Sequence, residues 1–466
     1  RWSKQYWLFC RAANSAAGSN FYVELLKTLG DGGVVRKGAF EDCVFLDLER
    51  LPDGITCIED QAFRGCSALA LTSLPEKLTK IEACTFQDCI KLALTSLPDN
   101  IETIGGFSFS HCYTMPLKSL PDKVTNIGQN AFWDCSRLAL TSLPKGITKI
   151  RKNTFTNCSK LALTALPDKL NYIGEGAFSS CSALALTSLP LGLTTIEQKV
   201  FENCQKLDLK ILPVGIATIE SRAFMDCKMM ALNVLPYGIT HICAEAFRGC
   251  CNLAPTSLPK ELVSIGWQAF EGCSALALES LPKGLTSIGQ YAFSDCSALA
   301  LKSLPDGITK ISEAVFANCC NMALTSLPKE LRWIGWRAFE GCSALALESL
   351  PKGLTNIGEY AFSDCSALAL KSLPEEMTHI SDFAFSGCSA LALTSLPKEL
   401  LQIGLSSFED CSELALTSLP EKLTVIENRA FRGCRKLALT GLPETLKGIS
   451  IGQDSFQGCP LVSMFL

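Results

Sequence analysis

The chain is 466 residues long, 48% hydrophobic and 19% charged, with 42 basic side chains against 46 acidic ones. A net charge of −4 with the two signs interspersed argues against nucleic acid as a partner, because no basic stripe exists to release counterions from phosphates. No apolar run approaches the ~18 residues of a membrane span. Cysteine recurs every 23 residues from Cys43 to Cys434, with a last step of 25 to Cys459, which excludes a set of independent globular domains in favour of a repeat array.

The first residue is Arg1 rather than Met, which predicts that the natural start, and any targeting signal, lies upstream. Residues 21–29 (FYVELLKTL) have helical apolar spacing and run into Gly30-Asp31-Gly32-Gly33, a helix stop. A stack of coils needs its first apolar edge covered, so 1–39 is expected to be an N-terminal cap with a helix. Residues 40–466 are expected to form one solenoid, and the last six residues, 461–466, read as a final strand.

One coil shows the logic. In residues 69–91, Leu69-Ala70-Leu71-Thr72 alternates large and small, which suits a strand, the first extended segment, with leucines inward and Ala70 and Thr72 outward. Leu74-Pro75 ends it, since proline has no ladder donor and presets a turn. Leu78-Thr79-Lys80-Ile81 is a second extended segment, followed in many coils by glycine (Gly128, Gly174, Gly289, Gly358). The coil closes with Phe and Cys three residues apart, as in Phe63/Cys66, Phe86/Cys89, Phe293/Cys296 and Phe362/Cys365, a spacing that places both on one face of a short helical or 3₁₀ turn. A single coil buries too little to stand alone, but stacked coils share columns of Leu, Ile, Phe and Cys. The 18 Leu-Pro turns predict about 18 coils, roughly 85 Å at ~4.8 Å per coil, with parallel β-sheet on at least one face and short strands or 3₁₀ turns on the other. Nineteen of the 25 cysteines fall in one column. Stacked thiols pointing the same way read as reduced, structural side chains, although the ~4.8 Å spacing of coils also falls within the Cα range for disulfide pairing.

The pattern Leu-Pro-x-x-Leu-Thr-x-Ile-Gly-x-x-Ala-Phe-x-x-Cys, as at 281–296 and 350–365, resembles the BspA-like leucine-rich repeats over residues 40–466. One departure is polar residues (Thr72, Thr95, Lys118, Thr141, Glu279, Lys302) two before the leucine of Leu-Pro, where that family usually carries an apolar one. The resemblance implies a leucine-rich repeat solenoid that binds another protein, often extracellular or at the cell surface, and no catalytic residues or cofactors. An intracellular or organellar scaffold subunit, held permanently in a larger assembly, is the alternative.

Little points to chemistry. His241 and His379 are six coils apart, about 29 Å at ~4.8 Å each, too far to share a metal, and His111 is the only other histidine. Aspartate before the ladder cysteine (Asp42, Asp88, Asp134, Asp226, Asp295, Asp364, Asp410) alternates with Gly and Asn, which marks a turn position rather than a calcium site. No nucleophile elbow, P-loop or His-Glu-x-x-His occurs. The triplet Asn157-Cys158-Ser159 fits a glycosylation acceptor but stands alone. The outward Thr row would suit an ice-binding face, but Glu279 and Lys302, and Glu348 and Lys371, interrupt it as opposite charges one coil apart.

Two features carry functional information. Residues 259–327 and 328–396 are near copies, three coils each. Within them Trp267, Tyr291, Trp336, Tyr360 and Phe383, with Trp333 nearby, occupy positions that are polar or small in most other coils. They read either as a protein-binding site or as a local stack of rings along the coil edge. An uncovered end coil would also invite end-to-end self-association.

Overall fold

The computed structural model describes residues 33–439 and 448–460; the expected helix at 21–29 and the final strand at 461–466 lie outside them. The chain divides into one unit up to Ala231 and another from Leu232 onward. Each is a stack of 23-residue coils, and no described residue is helical.

Strand residues come from the second extended segment. Successive coils contribute two-residue strands, numbered in chain order from β1 (Val34–Val35) to β19 (Ser450–Ile451), with β1–β9 in unit 1 and β10–β19 in unit 2. The ladder thus starts upstream of Phe40. Pairing is parallel and in register: Lys80↔Thr103 and Ile81↔Ile104 in unit 1, Lys310↔Trp333 and Ile311↔Ile334 in unit 2. From β2 to β18 the β-branched isoleucine points inward and is buried, whereas its neighbour is outward, as period-2 alternation requires. Glycine follows because the preceding coil lies close. A Cβ on Gly289 would fall 2.5 Å from the Trp267 nitrogen.

The first extended segment forms no ladder of its own. Leu69 and Leu71 are inward and buried, and Thr72 is exposed, as the alternation predicts. However, only one or two bonds per coil cross here: Ala93 N–H to Leu71 O at 3.0 Å stands alone in its coil, whereas Ala70 N–H to Leu48 O is joined by Thr72 N–H to Glu49 O, each at 3.1 Å. The Leu-Pro turn, closed by Leu78 N–H to Pro75 O at 3.2 Å, takes the chain away before the pairing can extend into a ladder. The polar residues that depart from the family pattern face water, and four of them make the two expected pairs: Lys302 Nζ to Glu279 Oε2 at 2.7 Å and Lys371 Nζ to Glu348 Oε2 at 3.2 Å. Such exposed pairs contribute about 0–1 kcal/mol each.

The Phe-x-x-Cys segment is not the expected 3₁₀ turn. Turn bonds from Ala62 N–H to Glu59 O, Arg64 N–H to Gln61 O and Cys66 N–H to Phe63 O alternate with bonds to the next coil, from Gln61 N–H to Ala83 O, Phe63 N–H to Thr85 O and Gly65 N–H to Gln87 O. A 3₁₀ helix turns every N–H inward along its own chain; here every second one must point at a neighbour. That alternation needs left-handed residues four apart, such as Gln61 (φ 59°) and Gly65 (φ 73°), or Tyr291 (φ 57°) and Asp295 (φ 60°). The second of these slots holds the Asp, Asn and Gly that sequence reasoning assigned to a turn. Neither slot holds a β-branched residue in any described coil, as positive φ demands.

Two columns fill each unit behind this segment. The phenylalanines stack ring on ring, with centroids 5.3–5.8 Å apart and interplanar angles of 2–18°, from Phe40 to Phe224 in unit 1 and from Phe247 to Phe456 in unit 2. Beside them, each cysteine thiol reaches back one coil to the phenylalanine carbonyl: Cys66 to Phe40 at 2.9 Å, Cys89 to Phe63 at 3.1 Å, Cys296 to Phe270 at 3.1 Å and Cys365 to Phe339 at 3.0 Å. Burial pushes the interior thiols, such as Cys112, Cys273 and Cys365, well above the ordinary thiol range, so the donating S–H is kept; at the end of the column Cys459 is instead lowered by its contact with Cys434.

Two outcomes follow. Cys296→Ala removes one donor from the buried Phe270 carbonyl and should cost about 1–3 kcal/mol, read from the denaturant midpoint. The raised thiols bind protons that the unfolded chain releases, so their stabilisation is complete below the unfolded thiol pKa of ~8.5 and falls by about 1.4 kcal/mol per pH unit per thiol above it. Thermal melts from pH 7 to 10 should show that alkaline decline, and each ladder Cys→Ala substitution should reduce its slope.

Candidate protein-binding site

The aromatic residues sit on the turn segment and on one strand of unit 2. Tyr291, Tyr360 and Phe383 occupy the first left-handed slot, with φ of 57°, 57° and 54°. Each backbone N–H there bonds to the next coil, as with Tyr360 N–H to Asp382 O at 3.1 Å. Trp267 and Trp336 come one residue before that slot. The residues are therefore presented from a backbone tied on both sides.

The structure brings four of the six together. Tyr291 meets Trp336 edge to face at 6.5 Å, two coils away; the intervening slot is Ala314, too small to separate them. Tyr360 lies flat on Phe383 at 4.5 Å with an interplanar angle of 6°. Between the two pairs stands Arg337, its guanidinium 4.5 Å from the Trp336 ring and 5.2 Å from Tyr360. The result is a half-buried row: Tyr291, Trp336, Arg337, Tyr360, Phe383. Arg337 Nε is also 3.3 Å from Glu340 Oε2, and burial raises the Glu340 carboxyl against the opposing pull of Arg337.

Trp333 and Trp267 stand apart from the row. Trp333 is the outward residue of β14 (Trp333–Ile334), with Lys310 Nζ over its ring at 4.1 Å and its edge across Gly335, where a Cβ would fall 2.8 Å from Cη2. Trp267 is 43% exposed, and no ring or cation packs on it among the described residues. Sequence reasoning missed both cations. For Lys310 the signal is the 23-residue register, which places it beside Trp333; for Arg337 it is the difference from Gln268 in the other copy.

Unit 1 carries two further clusters. His111 hydrogen-bonds through Nδ1 to Asp88 Oδ1 at 2.6 Å, and its Nε2 is 3.6 Å from Asp134 Oδ2. All three occupy the slot before the ladder cysteine in successive coils, with Trp133 tilted on the imidazole at 4.9 Å. No group of three ligating residues among the described residues is placed to hold a metal ion. Separately, Leu191 and Val214 stand 81% and 69% exposed, in the slot that holds Glu76, Asp99, Asp122, Lys145 and Asp168 in the preceding coils. Ile211 is also exposed.

Removing the cation should separate the row's two halves. Arg337→Ala is expected to leave the fold intact with a loss of about 0.5–1 kcal/mol, to shift tryptophan emission to the red and to raise its quenching by acrylamide. Unchanged emission would mean that Arg337 does not cover Trp336 in solution.

The BspA type leucine rich repeat region profile matches residues 34–162, 115–231, 217–346 and 334–463. A search of curated proteins gives no match. Among solved structures, a leucine rich repeat protein of T. pallidum is 31% identical, covering 38% of this chain and 78% of that one with a TM-score of 0.29. A leucine rich cell surface protein of Faecalibacterium prausnitzii is 22% identical over 75% of this chain and 86% of that one, at a TM-score of 0.37. A leucine-rich repeat protein of Bacteroides ovatus is 22% identical over 92% and 80%, at 0.26. Given the 23-residue register of its strands, phenylalanines and thiols and a profile that runs from residue 34 to residue 463, the chain belongs to the BspA-type leucine-rich repeat family.

Proposed function

We propose that this chain is a non-catalytic, adhesin-like protein that binds another protein outside the cell or at the cell surface, and that the aromatic row of unit 2 is the contact. The observation that carries the reading is the row itself. Half-exposed Trp, Tyr and Arg held on a tethered backbone are the residues that dominate protein interfaces, and they lose little further rotamer freedom when a partner covers them. The extracellular placement rests on family resemblance, and so does the absence of a catalytic role, which agrees with the lack of any catalytic motif in the sequence. Residues 1–39 act in this reading as the cap: Phe40 and Leu46 of the first described coil are as buried as their counterparts further along. Deletion of 1–32 should then expose that coil and raise binding of a hydrophobic dye; an unchanged dye signal would remove the cap.

A specific observation favours a second reading, a permanent subunit in an assembly. Leu191, Ile211 and Val214 form an exposed apolar group in unit 1, of the kind that an obligate partner covers. The two readings separate in one experiment. The chain is recovered from its source without denaturant, and what accompanies it is identified by mass spectrometry. The row predicts a separable partner whose binding falls at least about tenfold in the Trp336→Ala/Tyr360→Ala double variant and is unchanged in Leu191→Ser/Val214→Ser. A stoichiometric partner lost only in the second variant would overturn the adhesin reading.

A further inference from the structure

The duplicated three-coil segment provides an internal comparison. Trp267 and Trp336 are equivalent, as are Gln268 and Arg337, Glu271 and Glu340, and Tyr291 and Tyr360. In the second copy the Arg337 guanidinium covers Trp336 at 4.5 Å and Tyr360 at 5.2 Å, with its Nε 3.3 Å from Glu340 Oε2. In the first copy the position holds Gln268, no cation lies over either ring among the described residues, and Trp267 is left 43% exposed. The Gln268 Oε1 is buried without a hydrogen-bond partner, as is Arg337 Nε in the second copy despite its proximity to Glu340. Glu271 there draws its cation from elsewhere, Arg248 Nε at 2.8 Å.

We propose that the corner formed by Trp267, Gln268 and Tyr291 binds the guanidinium of an arginine side chain on a partner protein. The second copy carries that same occupant within its own chain. Tryptophan offers the strongest face for a cation, and a flat guanidinium stacks on it while its N–H groups remain free to donate in plane; the Gln268 Oε1, buried in the free chain, is the acceptor for one of them once its amide turns outward. The nearby Glu271 carboxyl is acted on by Glu245 and Asp295 as well as by Arg248, so acidic groups lie close to the residue next to this corner. The inference narrows the proposed protein-binding role of unit 2 to an arginine-bearing partner, and it rests on that reading.

The test needs no identified partner. The indole N–H resonance of Trp267, assigned by its loss in Trp267→Phe, is followed while the full chain is titrated with N-acetyl-arginine amide and with its citrulline analogue. A saturable shift with arginine, at least about tenfold weaker with neutral citrulline, is expected. Gln268→Arg should abolish the shift by supplying the missing guanidinium, and the slot accepts it: Gln268 has φ 53° and Arg337 φ 52°. Equal response to citrulline, a shift that survives Gln268→Arg, or a response at Trp336 instead of Trp267 would overturn the assignment. Arginine binding at Trp267 together with partner capture indifferent to the Trp336→Ala/Tyr360→Ala variant would instead sink the proposed function and leave this corner standing.

Discussion

The fold depends on how one buried carbonyl is satisfied. In each coil the phenylalanine C=O accepts the N–H of its own coil's cysteine, as Cys66 N–H to Phe63 O at 3.2 Å, and the S–H of the next coil's cysteine, as Cys89 Sγ to Phe63 O at 3.1 Å. A buried carbonyl short of a partner costs about 1–3 kcal/mol, and this one recurs in every coil. Cysteine fits because the slot wants a small, apolar side chain that still carries a donor. Alanine would fill much of the space and leave the oxygen short; serine would bring a hydroxyl on a shorter bond. The column therefore does more than fill space, since it locks each coil to the next on the side away from the strands.

That locking accounts for the turn geometry, and the turn geometry accounts for the surface. Half of the turn's N–H groups bond within the coil and half across it, so the backbone must reverse its sense every fourth residue, with an intrinsic cost of about 1–2 kcal/mol for a non-glycine residue. The cross-coil bonds offset that cost. Side chains at and before the first left-handed slot point away from the packed columns, which is why this slot tolerates Gln, Lys, Arg, Tyr and Phe and can differ from coil to coil. Variation accumulates where the core makes no demand, and the aromatic row occupies that lane.

Much of this was legible in the residues. Period, inward leucines and isoleucines, the Phe and Cys columns, the turn role of the Asp/Asn/Gly slot and the Glu279–Lys302 and Glu348–Lys371 pairs all follow from spacing alone, because a 23-residue register turns sequence distance into spatial adjacency. The 3₁₀ expectation failed for a physical reason: Phe and Cys at i, i+3 share a face in a 3₁₀ turn and equally in a turn that alternates its bonds, and the residue pattern cannot distinguish them without the neighbouring coil. The strand at Leu69–Leu71 was overread for the converse reason, since alternation marks which side chains are buried and not how many bonds cross. At the site, the rings were visible and Arg337 was not, because a lone arginine on a variable loop has no meaning until Trp336 and Tyr360 flank it.

The thiol column also bears on where such a protein can persist. An oxidised sulfur has no proton to give and extra oxygens to bury, so a coil that opens in an oxidising medium loses the means of closing around the same carbonyl. Closed coils keep their sulfur atoms out of reach, while Cys320 stands exposed beside the column. The working lifetime of the molecule outside a reducing compartment is then governed by how seldom its coils breathe, a matter of kinetics rather than of equilibrium.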